Sequence, residues 1–144
     1  MAPTKILMTG AAGYIASQML PTLRSRYELV LVDVTRQNRQ GEALQDIVVL
    51  DLIDPDRRTY ARHFEGVDVV VHLGYKRRRG ADPMEHFFDE KHNVEMAYNV
   101  FRTAYDAGVK RVVMARSNPA PARYEPAQLH HPRAMEGVQP YSLP

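Results

Sequence analysis

Gly10 and Gly13 are the residues of this chain best suited to bind a phosphate group, because they lie between a short apolar run and a helical segment. Residues 9–16 read TGAAGYIA. The glycines allow a tight turn and a close approach of a diphosphate, and the N–H groups that open the following helix attract an anion. Ala16 is small enough to let that helix pack closely on the strand. The alternative is an ordinary glycine turn that binds no ligand.

Asp33 ends the next apolar run, about 20 residues beyond the glycine turn, as the dinucleotide fingerprint requires. In this interpretation its carboxylate accepts hydrogen bonds from the adenine-ribose hydroxyls and repels a 2′-phosphate, which favours NAD over NADP. Arg36 and Arg39 follow closely and complicate that preference. The alternative is a solvated aspartate at the end of a strand.

The run from Lys76 to Arg79 is the sharpest cluster of charge in the chain. It follows a predicted strand at the edge where α/β proteins bind ligands, so Lys76 and Arg77 are candidates to bind a substrate carboxylate or phosphate. A solvated loop is the favoured alternative. No aromatic residues are interleaved with these charges, which disfavours a nucleic-acid partner. The histidines have no recognised metal-site spacing, so no metal is expected.

Five apolar runs that alternate with helical segments must position these residues. The predicted strands are 5–9, 28–33, 46–50, 67–73 and 110–115, and the predicted helices are 12–26, 55–64 and 83–107. We expect Pro21 to kink or shorten the first helix and Asp54 to cap the second. The alternation indicates a parallel sheet. The predicted fold class is therefore α/β, a Rossmann-type doubly wound sheet truncated after about five strands.

The last predicted helix carries five apolar residues on one face, and three methionines are expected to fill gaps in the core. The face consists of Val94, Ala97, Tyr98, Phe101 and Tyr105, and the methionines are Met84, Met96 and Met114.

Length and composition fit one soluble domain of 144 residues, with a net charge of +2 and no cysteine. We see neither a signal-peptide pattern nor an apolar run of roughly 20 residues, so we expect a cytoplasmic protein without a membrane partner.

These motifs, in this order, resemble those of the extended short-chain dehydrogenases/reductases, the NAD-dependent epimerase/dehydratase family, and within it the uronate dehydrogenase-like branch. Beside the glycine turn, the resemblance is carried by Asp51-Leu52, His72-Leu73-Gly74, Asn93-Val94 and Asn99-Val100. It implies an NAD-binding domain over residues 1–117. The residues implied to bind the cofactor are Gly10, Ala12, Gly13, Tyr14, Ile15, Asp33, Asp51, Leu52, Leu73, Gly74, Asn93 and Ala115.

The resemblance also places the family's catalytic serine at Ser117, after the fifth predicted strand. Arg116 and Pro119 depart from the family pattern, in which a small residue and, in this branch, often a histidine are found. The chain has no Tyr-x-x-x-Lys, the motif whose tyrosine transfers the proton in the family. Residues 118–144 are expected to form a proline-rich loop leading towards this missing motif and the missing substrate-binding region.

The activity that the resemblance implies is NAD-dependent hydride transfer on a sugar or sugar acid, by an oxidoreductase or epimerase that is inactive as this 144-residue chain. The alternative is a non-catalytic dinucleotide-binding module or a truncated product. Dimers of the family often use helices that include the one after the fourth strand. The resemblance therefore implies a homodimer through the helix at 83–107.

Overall fold

The computed structural model describes residues 3–77 and 80–115. Residues 1–114 belong to one compact unit, and the expected domain boundary at residue 117 lies outside the described residues. The strands are β1 (Lys5–Thr9), β2 (Glu28–Asp33), β3 (Ile47–Val49), β4 (Val69–His72) and β5 (Arg111–Met114). The helices are α1 (Tyr14–Arg24), α2 (Arg58–Ala61) and α3 (Pro83–Asp106), and one 3-10 turn (Arg62–Phe64) follows α2.

The five strands form a single parallel sheet in the order β3-β2-β1-β4-β5, which confirms the predicted α/β class. β1 lies in the middle, and its Leu7 is paired with Val30 on one side and Val70 on the other. The chain order therefore reverses between β1 and β4. Doubly wound sheets bind their ligands beyond the carboxyl ends of the strands at such a point.

Both faces of the sheet are covered, as the continuous apolar runs of the strands predict. On one face, Met8 and Leu31 pack with Ala16 and Leu20 of α1. On the other face, a second cluster joins the sheet to α2, the 3-10 turn and α3, and it includes Leu7, Val32, Tyr60, Phe64, Val70 and Val100. Successive residues of β1 alternate between the two clusters, so the strand is buried on both faces. Thr9 is its last residue, and Gly10 follows at the carboxyl edge of the sheet.

α1 is shorter than its prediction at both ends. It continues through Pro21 to Arg24, so the proline does not end it directly. Its buried residues are Ala16 and Leu20, whereas Ile15 is exposed. Ala16 packs against the sheet with its small side chain, as predicted, and Ile15 lies on another face of the helix.

The second predicted helix begins three residues later than expected and ends in the 3-10 turn, and the cap assigned to Asp54 was wrong. Asp54 accepts a hydrogen bond from the N–H of Asp56, and Asp56 accepts one from the N–H of Arg58. Aspartate side chains that bond to backbone N–H groups two residues ahead compete with helix formation. Regular helix therefore begins only at Arg58.

The aromatic face of α3 is not the face that packs on the sheet. The helix buries Val100, Thr103 and Ala104, whose modest size lets it approach the strands. The predicted apolar face instead contributes four exposed side chains, Val94, Tyr98, Phe101 and Tyr105. Met84 and Met114 are also exposed, and only Met96 packs against the core, so the core role predicted for the first two was wrong. Within the described residues, no helix has the length and apolar character needed to cross a membrane.

Candidate functional site

The glycine turn connects β1 to α1, and its two glycines are needed for different reasons. Gly10 has a φ of +67°, and a Cβ there would lie 2.7 Å from the amide nitrogen of Gly74. Gly13 has an ordinary φ of −76°, but a Cβ there would lie 3.0 Å from the carbonyl oxygen of Gly10. Only Gly10 therefore needs the left-handed conformation. At Gly13 the absence of a side chain avoids a tight contact with the carbonyl oxygen of Gly10.

The first turn of α1 has the features of an anion site. Helix geometry leaves its first N–H groups without intrahelical partners. Gly13 provides no side-chain cap, and no acidic residue lies in this turn. Tyr14 and Ile15 have 56% and 51% of their surfaces exposed, so the start of the helix is open. A negatively charged group placed there is stabilised by these N–H groups and by the helix dipole.

Asp33 lies beside this turn at the end of β2. One carboxylate oxygen, Oδ2, accepts a hydrogen bond of 2.9 Å from the N–H of Ala12, and Oδ1 accepts one of 3.3 Å from the N–H of Thr35. Each carboxylate oxygen has a further lone pair for another donor. The structure thus brings together the turn and the carboxylate that the sequence singled out.

The two arginines that follow Asp33 have different environments. Arg36 donates a hydrogen bond from Nε to the carbonyl oxygen of Ile47, so it is engaged with β3. The guanidinium carbon of Arg39 lies 5.8 Å from the centre of the Tyr14 ring. Arg39 is therefore the cation that lies near the start of α1.

The Asp51-Leu52 pair follows β3 and is held by α3. Asp51 is exposed, and its Oδ1 accepts a hydrogen bond from the N–H of Ile53. The side chain of Leu52 is buried in the core, and its carbonyl oxygen accepts a hydrogen bond of 2.8 Å from Nδ2 of Asn99. Sequence reasoning placed Asn99 behind the sheet but assigned it no contact.

The end of β4 approaches the glycine turn through Thr9. The hydroxyl oxygen of Thr9 accepts hydrogen bonds from the N–H groups of Leu73 and Gly74, at 3.2 and 3.1 Å, and lies 2.6 Å from Nδ1 of His72. Burial lowers the pKa of His72 to about 4, so the ring is neutral near pH 7. Thr9 was missed in the sequence because a threonine in a strand has an ordinary core role.

Asn93 of α3 is bonded to the loop that follows β4, which contains the candidate substrate residues Lys76 and Arg77. The side-chain amide of Asn93 makes two hydrogen bonds with the backbone of Lys76, 2.7 Å to its N–H and 3.0 Å to its carbonyl oxygen. The Lys76 ammonium lies 3.2 Å from the buried Asp89 carboxylate and 2.9 Å from Nδ1 of His92. Its charge is therefore partly compensated within the chain, whereas the neighbouring Arg77 is exposed.

The remaining site predictions concern the end of β5. Ala115 follows β5 directly and is exposed. Ser117 and Arg116 lie outside the described residues, as do Arg78 and Arg79. The catalytic assignment of Ser117 stays a prediction, and so do the cofactor contacts assigned to the other residues.

A comparison with known families gives one match that spans almost the whole chain. The model described as the NAD dependent epimerase/dehydratase family matches residues 6–142.

Among curated proteins, the chain is similar to sugar dehydrogenases. It is 32% identical to L-arabinose 1-dehydrogenase (NAD(P)(+)) of Haloferax volcanii, over 91% of this chain and 48% of that protein. It is 30% identical to uronate dehydrogenase of Pseudomonas syringae pv. tomato, over 90% of this chain and 46% of that protein. The chain thus spans about half the length of these relatives.

A solved structure with the same fold contains the cofactor. It is a variant of uronate dehydrogenase from Agrobacterium tumefaciens in complex with NAD, 28% identical to this chain. The two superpose with a TM-score of 0.61, over 83% of this chain and 43% of that one.

Proposed function

The chain belongs to the NAD-dependent epimerase/dehydratase family, and from this premise we propose that it binds NAD at the carboxyl edge of β1, β2 and β4. We propose that the bound NAD transfers a hydride to or from a sugar or sugar acid. The relatives named for L-arabinose and uronate support this substrate class. NAD would supply the hydride acceptor, and the chain's residues would bind and orient it.

In this proposal each part of the dinucleotide has candidate partners. The diphosphate would be bound by the N–H groups of the glycine turn and of Tyr14 and Ile15 at the start of α1. The adenosine would contact Asp33 on its ribose and the Asp51-Leu52 turn on its base. The nicotinamide end would lie towards Leu73, Gly74 and Ala115, which follow β4 and β5.

The observation that carries the proposal is the hydrogen bond from the Ala12 N–H to the Asp33 carboxylate. It fixes a negative charge beside the turn that would bind the diphosphate. A carboxylate so placed accepts ribose hydroxyls and repels a 2′-phosphate, so we propose NAD over NADP. Among the described residues, Arg39 is the better candidate to offset the repulsion, because Nε of Arg36 is bonded to the carbonyl oxygen of Ile47.

The proposal is tested by calorimetric titration of NAD and NADP into the chain and into Asp33→Asn. The substitution removes the charge and keeps the size and one acceptor oxygen. We expect tighter binding of NAD than NADP to the original chain, and about 10- to 100-fold weaker NAD binding to the variant, from the loss of charge-assisted hydrogen bonds. NADP binding should weaken much less.

Asp46→Asn is the matched control, because Asp46 is another aspartate beside the sheet, and it pairs with Arg24 on the far side of α1 from the glycine turn. It should leave both affinities unchanged. Equal affinity of the original chain for NAD and NADP, or tighter NADP binding, would contradict the proposed preference.

We propose that the substrate lies beyond β4 and β5, with Ser117 hydrogen-bonded to its reacting hydroxyl. If the substrate has a carboxylate, Arg77 is the better partner because the Lys76 ammonium already pairs with Asp89. The chain of 144 residues is proposed to lack turnover by itself, because it has no Tyr-x-x-x-Lys. A non-catalytic NAD-binding module is the second candidate.

We also propose a homodimer through α3, with a second copy covering its exposed aromatic face. Two antiparallel α3 helices related by a two-fold axis near Asn93 would place Lys91 opposite Glu95 of the partner subunit, and Phe88 near the partner's Tyr98. The side chains of Phe88, Lys91, Glu95 and Tyr98 are all exposed. In this arrangement opposite charges would face each other across the two-fold axis.

A further inference from the structure

The loop between β2 and β3 carries Arg39 at its turn and is fixed by hydrogen bonds of its own. Its two sides meet in an antiparallel bridge between Gln37 and Ala43. The N–H of Asn38 donates to the carbonyl oxygen of Glu42 at 3.0 Å, and Oδ1 of Asn38 accepts a hydrogen bond of 2.9 Å from the N–H of Glu42. Because the loop is already ordered, Arg39 has little backbone freedom to lose when it binds a ligand.

The same loop is packed beside the glycine turn and the start of α1. Leu44, on its returning side, packs against the core cluster that contains Ala12 and Ala16. The guanidinium carbon of Arg39 lies 5.8 Å from the centre of the Tyr14 ring, which is within the range of a cation–π contact. Tyr14 is the first residue of α1 and is 56% exposed. The loop therefore brings a cation to the open end of this helix.

The charge of Arg39 is not compensated in the way that other arginines are. Arg24, Arg57 and Arg102 each form an ion pair with an aspartate. Within residues 3–77 and 80–115, no acidic side chain pairs with Arg39, whose contact is with an aromatic ring. A guanidinium has five N–H donors and can bind a phosphate through two parallel hydrogen bonds. Arg39 is thus a cation with its donors available to an anion.

We propose that Arg39 is a further binding residue of the NAD site, where it contacts the diphosphate, and that Tyr14 is a positioning residue that holds its guanidinium there. This inference rests on the proposed NAD site. The other anion that Arg39 could bind is the 2′-phosphate of NADP, which would lie beside Asp33. The diphosphate is the better assignment, because Arg39 contacts the ring of the residue whose N–H would bind that group.

The first test is calorimetric titration of NAD, NADP and adenosine into the original chain and Arg39→Gln. We expect NAD and NADP to bind about tenfold more weakly to the variant, from the loss of charge-assisted hydrogen bonds to a group that both cofactors contain. Adenosine has no phosphate, so its affinity should stay within about twofold. Arg26→Gln is the matched control, because Arg26 is an exposed arginine just beyond the opposite end of α1, and it should leave all three affinities unchanged.

The positioning role of Tyr14 is tested with Tyr14→Phe, which keeps an aromatic ring, and Tyr14→Leu, which removes it. We expect Tyr14→Leu to bind NAD about threefold more weakly and Tyr14→Phe to bind it as the original chain does. Added to Arg39→Gln, Tyr14→Leu should cause no further loss, because its effect acts through the guanidinium. A ring with a merely structural role would weaken NAD binding equally in both backgrounds, and that result would refute the role of Tyr14.

Unchanged NAD affinity in Arg39→Gln would overturn the inference and leave the proposed NAD site standing. A loss confined to NADP would also overturn it, because it would assign Arg39 to the 2′-phosphate. Failure of the original chain to bind NAD would instead refute the proposed function, and the inference with it.

Discussion

At the residue scale, the demands on Gly10 can be separated by comparison with a second glycine. Gly66 has nearly the same φ, +68° against +67°, but nothing lies within 4 Å of its Cβ position. An alanine at either site is strained by about 1 kcal/mol. At Gly10 the added carbon also meets the backbone of Leu73 and Gly74 at 2.7 Å, where no flexible side chain can move aside.

We therefore predict that Gly10→Ala lowers the free energy of unfolding by at least about 2 kcal/mol, and Gly66→Ala by about 1 kcal/mol. Urea denaturation of both variants measures the difference. Equal losses would show that β1 and β4 separate easily at this end, contrary to the close packing described above.

Because the imidazole of His72 is buried, we predict that the free energy of unfolding falls in mild acid. Its pKa falls from 6.5 to about 4 on burial, so the unfolded chain binds a proton that the folded chain excludes between these pH values. The stabilisation is complete above pH 6.5 and is lost as the pH falls towards 4, by on the order of 3 kcal/mol.

His72→Asn is the matching variant, because a side-chain amide can hydrogen-bond to the Thr9 hydroxyl and does not titrate in this range. Urea unfolding from pH 7 to pH 4 should show a smaller slope for the variant than for the original chain. The carboxylates of Asp46 and Asp68, whose pKa values are lowered by Arg24 and Lys110, contribute to both chains alike and at lower pH. If the free energy of unfolding changed with pH in the same way in both chains, the lowered pKa of His72 would be contradicted.

At the scale of elements, strands were predicted more accurately than helices. Each strand is a compact apolar run, and β1 and β2 have the predicted bounds because burial on both faces leaves little choice of residue. The glycine turn and Asp33 were predictable together because parallel strands end at one edge. α2 begins late because the side chains of Asp54 and Asp56 accept hydrogen bonds from backbone N–H groups two residues ahead. The spacing of apolar residues in the sequence does not reveal these bonds.

The environment of individual residues was harder to predict than the elements themselves. The spacing of apolar residues on α3 identified a real face, but spacing alone does not say whether a face meets the sheet or another surface. The anchors Asn99 and Thr9 depend on contacts with Leu52, 47 residues away, and with His72, 63 residues away, which no local pattern contains. Sequence reasoning therefore located the candidate site and missed the side chains that hold its parts in place.

α3 also supports a prediction about assembly. In the proposed antiparallel pair, Lys91→Glu places two carboxylates across each symmetric contact, and we expect the dimer to dissociate about tenfold more readily. The double exchange Lys91→Glu with Glu95→Lys restores the opposite charges and should restore the dimer. Sedimentation equilibrium measures the dimer dissociation constant of the original chain, the single variant and the double variant. A monomeric original chain, or a double variant as weak as the single one, would contradict the proposed pairing.

At the scale of the whole molecule, binding and chemistry are separable in this chain. The described residues contain the candidate contacts for a dinucleotide, from the glycine turn to the end of β4. The proposed catalytic residue, Ser117, lies after them, and the chain spans about half the length of its curated relatives. NAD binding and dehydrogenase activity should therefore be measured separately, because the first does not entail the second.

The last prediction is that the 144-residue chain binds NAD and shows little or no turnover. Removing a hydride from a carbinol also requires removal of its hydroxyl proton, and a positioned base contributes roughly 10²- to 10⁴-fold. Ser117 can orient the hydroxyl but is too weak a base without an activator. The assay follows NADH formation over a panel of uronic acids and aldoses. Robust turnover abolished by Ser117→Ala would contradict the prediction and imply a base within this chain, with Tyr124 and Tyr141 the first tyrosines to replace.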